Sequence, residues 1–181
     1  MKKMQWIGVL GGLLWIVCWT KVSMYPPAPL GGYREGEDVH GLLITAILLL
    51  VIGQVFWIRA ERAHVGTAAL ISQAVVSAAI LLMAIGRFIQ SLGGDPQPTV
   101  AIGWILTVLS MLVFSMTLGK PYTFWSRALI LLTALCFAFL SELDWRSWLA
   151  LPYGICWSIL FLVPVRRKSR ESAKVLNRLN L

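Results

Sequence analysis

Charge is scarce in this chain, and acid most of all. Eight Asp and Glu and sixteen Lys and Arg are spread over 181 residues, so only 13% of positions are charged, where soluble domains carry about a quarter. With 58% hydrophobic residues and a mean hydropathy of +0.76, a water-soluble globule is excluded and the class is an integral membrane protein. Cysteine is sparse too. Cys18, Cys136 and Cys156 each lie inside an apolar run with no C-x-x-C pair and no His neighbour, so neither a disulfide framework nor a zinc site is expected and the thiols read as small hydrophobes.

The usual catalytic patterns are missing as well. There is no G-x-S-x-G, H-E-x-x-H, H-x-x-x-H or C-x-x-C, and the chain has two histidines, which removes the hydrolase, zinc-protease and thiol-redox classes those spacings serve. Glu61 and His64 form an E-x-x-H spacing, but metal binding by that motif takes a second copy on a facing helix, and none is present. The stretch RAERAH therefore reads as a polar turn, and no metal or other cofactor is expected. The net charge of +8 does not signal nucleic acid, because the basic residues fall in short segments between apolar runs rather than on a stripe interleaved with base-stacking aromatics.

What the chain has instead is long apolar runs. Crossing about 30 Å of hydrocarbon takes roughly 20 apolar residues in a helix, and six stretches qualify, at about 5–23, 40–58, 65–90, 99–118, 125–143 and 147–165. The expected fold is all-α: a compact, up-and-down bundle of six transmembrane helices over residues 1–165, followed by a basic tail, 166–181. The first run, after MKK, has the outline of a signal peptide but no clear A-x-A cleavage site, so it is kept as a helix.

Lys and Arg in alternate connections set the orientation. Lys2, Lys3, Arg59, Arg62, Lys120, Arg127 and the six basic residues of the tail share one side; Lys21, Arg34, Arg87 and Arg146 share the other. Twelve against four places both termini in the cytoplasm, as a multi-pass protein of the plasma (inner) membrane. The acids Glu35, Glu37, Asp38, Asp95, Glu142 and Asp144 then lie outside, with Glu61 and Glu171 inside.

Candidate site residues gather on that outer side. Lys21 and Arg87 border apolar runs near span ends, and an ionisable group at such depth is costly enough to mark a functional position unless its stem lets it snorkel. Gln90, three residues after Arg87, shares its helical face. His40 closes the long first loop, YPPAPLGGYREGEDVH, and SELDWRSW, between the last two runs, supplies Glu142, Asp144 and Arg146. Glu142 is placed to pair with Arg87 or Lys21.

The remaining features point to packing and anchoring. Trp6, Trp19, Trp57, Trp125, Trp145 and Trp148 fall near expected span ends, where indoles favour the headgroup level. Gly8 and Gly12, and Ala74 and Ala78, are small pairs four apart that permit close helix contact. Gln54, Ser72, Gln73, Ser77, Thr107, Ser110 and Ser158 are polar groups within spans. Pro152 is expected to kink the sixth span and free a carbonyl toward the interior. The tail RRKSRESAKVLNRLNL is expected to meet anionic lipid. Two functions fit: a non-enzymatic membrane subunit binding a partner membrane protein or a small ligand at its outer face, or a membrane enzyme with an outward acid/base site drawn from Glu142, Asp144, Arg146 and His40.

Overall fold

A computed structural model describes residues 2–25, 37–119, 122–141 and 145–162. Among them there is no strand. Six α-helices follow in order: α1 (Lys2–Met24), α2 (Glu37–Glu61), α3 (Thr67–Ser91), α4 (Gln97–Thr117), α5 (Phe124–Ala138) and α6 (Leu151–Leu162), with a 3-10 segment, Trp145–Ala150, leading into α6. The first four are long and apolar enough to cross a membrane, and α5 is a shorter apolar helix. Leu10 and Val17 on α1, Leu48 and Ile52 on α2, Ile71 and Ile85 on α3, Ile105 and Leu109 on α4, Leu132 and Leu135 on α5, and Ile155 and Ile159 on α6 all face outward. An apolar surface on every helix of a bundle is the pattern of a lipid-embedded protein.

Each helix packs on the next in sequence, and α6 returns onto α1 to close the ring. Glycine contacts show the antiparallel sense. A Cβ on Gly53 would collide with the Gly8 backbone across α1 and α2, and one on Gly11 would meet the Leu50 backbone N at 2.6 Å. Gly12 approaches Ser158 and Gly154, and a Cβ on Gly154 would lie 2.6 Å from the Gly12 carbonyl, so α6 runs against α1 in the same way. The G-x-x-x-G of α1 thus faces inward. Ala74 and Ala78 do not: both are exposed, because α3 turns Ser72, Gln73, Ser77 and Arg87 into the bundle and the alanines fall on the opposite face.

Aromatic rings fill the interior. Trp19, Trp15, Tyr153, Trp157, Trp57 and Tyr122 succeed one another with centroids 5.1–6.4 Å apart, flanked by Phe137, Phe114 and Phe161. Trp19 and Trp57 are therefore core residues rather than headgroup anchors. Their spacing explains this: Gly8, Gly12, Trp15 and Trp19 lie on one stripe of α1, as Gln54, Trp57 and Glu61 do on α2, at the three- and four-residue intervals that share a helix face. Trp6, Trp125 and Trp148 are exposed near helix ends, whereas the side chain of Trp145 lies outside the described residues.

The two shorter helices are shaped by indole hydrogen bonds. Trp104 Nε1 donates to the Phe137 carbonyl at 2.7 Å, and the Phe139 and Leu140 amides close tight turns on Cys136 and Phe137, so α5 stops at Ala138 rather than at 143. Trp15 Nε1 donates to the buried Ala150 carbonyl at 2.7 Å. Pro152 does not kink a continuous helix. It occupies the second position of α6, where its missing N–H and bulky ring disfavour α geometry one turn earlier, and that turn is the 3-10 segment.

Candidate functional site

The antiparallel ring brings the last turns of α1 and α3, the first turn of α2 and the 3-10 segment to one end of the bundle, termed the Lys21 end. Ser23 Oγ and Ser147 Oγ lie 2.9 Å apart across α1 and the 3-10 segment. Among the described residues Arg87 is the most deeply placed cation there, one helical turn before the end of α3. Its residue is 6% exposed, and Nη1 donates to Gln90 Oε1 at 3.0 Å. The guanidinium lies against protein rather than reaching outward along its stem. Gln90, Lys21 and His40 are half-buried, and Arg146 is exposed. Lys21, His40, Arg87, Ser141, Arg146 and Ser147 each take part in at least one further bonding, ring or electrostatic contact. Glu142 and Asp144 lie outside the described residues, as does the first loop from residue 26 to residue 36.

Midway along the bundle the polar side chains of three helices meet. Ser77 Oγ donates to Gln54 Oε1 at 2.8 Å, and Gln54 Nε2 donates to Tyr153 Oη at 3.1 Å. Gln73 Nε2 reaches Ser77 Oγ at 3.5 Å, while Gln73 Oε1 is buried without a hydrogen-bond partner. Exchanging the amide's O and N leaves one end of it unmatched either way. Ser72 and Thr107 bond back to carbonyls of their own helices, whereas Ser158 Oγ has no partner. Tyr153 completes this network and is invisible to a search for polar residues by type, because in LPYG it reads as one more aromatic.

The opposite end, the Glu61 end, holds a second polar group. The turn after α2 is not uniformly solvated: Arg62 and His64 are exposed, but Glu61 is 7% exposed and Tyr122, from the α4–α5 connection, is 8% exposed. Neither Glu61 Oε2 nor the Tyr122 hydroxyl has a hydrogen bond of sound geometry, although the two groups are near neighbours. Burial first, and the Glu61 carboxylate second, push the Tyr122 phenol above the ordinary tyrosine range. Among the described residues there is no group of three or more His, Cys, Asp or Glu placed to hold a metal ion.

No protein-family model matches the chain, and no curated protein or solved structure shows significant similarity to it.

Proposed function

We propose that the chain is a six-span, non-enzymatic subunit of the plasma membrane, with both termini in the cytoplasm, that binds a partner membrane protein or a small ligand at its outer, Lys21 end. The observation carrying this reading is Arg87. Burying a guanidinium one turn inside a helix end is costly, and apolar packing of α3 does not require it. A guanidinium presents its donors in a fixed fork whose geometry matches a carboxylate or phosphate, which makes Arg87 the group at this end best suited to recognise an acidic group of a partner or ligand.

The sixth span is supported by length. The 3-10 segment rises about 2 Å per residue and α6 about 1.5 Å, which together reach about 30 Å, the thickness of the hydrocarbon core. The exposed Trp6 and Trp125 at the Glu61 end and Trp148 at the Lys21 end suit indoles at the two headgroup levels. The six basic residues of the tail, which lies outside the described residues, suit a cytoplasmic surface rich in anionic lipid.

Purification from native membranes in mild detergent tests the binding reading. The wild-type chain is expected to retain a second protein or a bound small molecule by native mass spectrometry, Arg87→Met to lose it while keeping its helical content, and Arg87→Lys to hold it less well, since a point charge cannot replace the fork. A wild-type chain that always runs as a bare monomer would overturn the reading. Turnover of a substrate by purified protein, abolished on changing His40 or Arg146, would favour an enzyme instead.

A further inference from the structure

The Glu61 end carries a feature that the outer-face reading leaves unused. Glu61 and Tyr122 are interacting neighbours, each more than nine-tenths buried, yet neither Glu61 Oε2 nor the Tyr122 hydroxyl makes a hydrogen bond of sound geometry. A buried carboxylate without compensation is strongly disfavoured, and no ion pair to Glu61 is found among the described residues. The nearest charge partner is the exposed His64, three residues on. The neighbouring wall is aromatic: Trp57 shares the inward stripe of α2 with Glu61 and lies against Tyr122, ring centroids 6.0 Å apart.

We propose that Glu61, Tyr122 and Trp57 form a binding site for a primary ammonium group at the cytoplasmic end of the bundle. An R–NH3+ group has three donors and no acceptor, which matches a carboxylate and a phenol oxygen that hold no hydrogen bond of sound geometry. Its charge offsets the carboxylate, and an indole face attracts it as well. A hydrated divalent ion fits less well, since such ions take six or more oxygen ligands. The ammonium has two sources at this depth: the headgroup of an amine-bearing phospholipid, or a free organic amine.

Thermal unfolding of the full-length protein separates these sources. In nanodiscs, phosphatidylethanolamine is expected to raise the unfolding midpoint relative to phosphatidylcholine if the lipid supplies the group. If a free amine supplies it, ethylammonium chloride added to phosphatidylcholine nanodiscs is expected to raise the midpoint with dose. Sodium chloride and tetramethylammonium chloride, which have no N–H donors, are expected to leave it unchanged. Glu61→Gln is expected to abolish the response and Tyr122→Phe to weaken it; the phenylalanine variant carries the test if the glutamine variant does not fold. A midpoint indifferent to both amines, or a response unaltered in both variants, would overturn the proposal and leave a simple proton on Glu61 as the way its charge is removed.

Discussion

At the scale of single residues, the polar groups inside the bundle are not equivalent, although their side chains look alike in the sequence. Gln54 holds two partners, accepting from Ser77 and donating to Tyr153, whereas Gln73 is left with an unmatched amide end. Truncating a satisfied buried group strands its partners at about 1–3 kcal/mol, while removing an unsatisfied one returns part of its desolvation cost. Gln54→Met is therefore expected to destabilise the protein by roughly that amount, and Gln73→Met to be neutral or mildly stabilising, by thermal unfolding in detergent. Equal losses in the two variants would mean that a group not described here completes Gln73. The sequence marks both glutamines as polar and within spans, but it does not say which is satisfied, because that depends on Ser77 and Tyr153 arriving from other helices.

At the scale of the element, small residues decide which helices touch. Both small pairs share the four-residue spacing, yet Gly8 and Gly12 face α2 and α6 while Ala74 and Ala78 face outward. Gly12→Val places methyl groups against Ser158 and the Gly154 carbonyl, and overpacking of this kind typically costs about 1–3 kcal/mol. Ala78→Val adds volume to an open face and should stay within about 0.5 kcal/mol, as surface substitutions do. If Ala78→Val proved as damaging as Gly12→Val, the outward face of α3 would have to be covered by another chain. The element pattern itself was largely legible. The first four helices follow the apolar runs at 5–23, 40–58, 65–90 and 99–118 to within a few residues. The ends of α5 and α6 were not legible, because they depend on carbonyls captured by Trp104 and Trp15, contacts made between residues far apart in the chain. Trp19 and Trp57 were misread for a related reason. Closeness to a span end suggested headgroup anchors, but the three- and four-residue spacing they share with Gly12 and Gln54 carried the better signal.

At the scale of the whole molecule, charge among the described residues is confined to the two ends of an apolar ring of helices. Lys21, Arg87 and Arg146 lie at one end, and Arg59, Arg62 and Arg127 at the other. These six described residues follow the alternation that, counted over the whole sequence, sets twelve basic residues against four. The tail adds six of the twelve, and each basic group near anionic lipid contributes about 1 kcal/mol. A peptide of residues 166–181 is thus expected to bind phosphatidylglycerol vesicles and to leave them as salt rises, since surface charges are screened over about 8 Å at physiological ionic strength. Binding indifferent to salt would instead assign the tail to a protein partner. The six-span topology itself is tested most directly by thiol labelling in intact cells, with Cys18, Cys136 and Cys156 replaced and a single cysteine introduced at Gly36 or at Ser169. An impermeant reagent is expected to label the Gly36→Cys protein and to reach the Ser169→Cys protein only after the membrane is opened; labelling of Ser169→Cys in sealed cells, with Gly36→Cys protected, would contradict the orientation and move the Arg87 site to the cytoplasm.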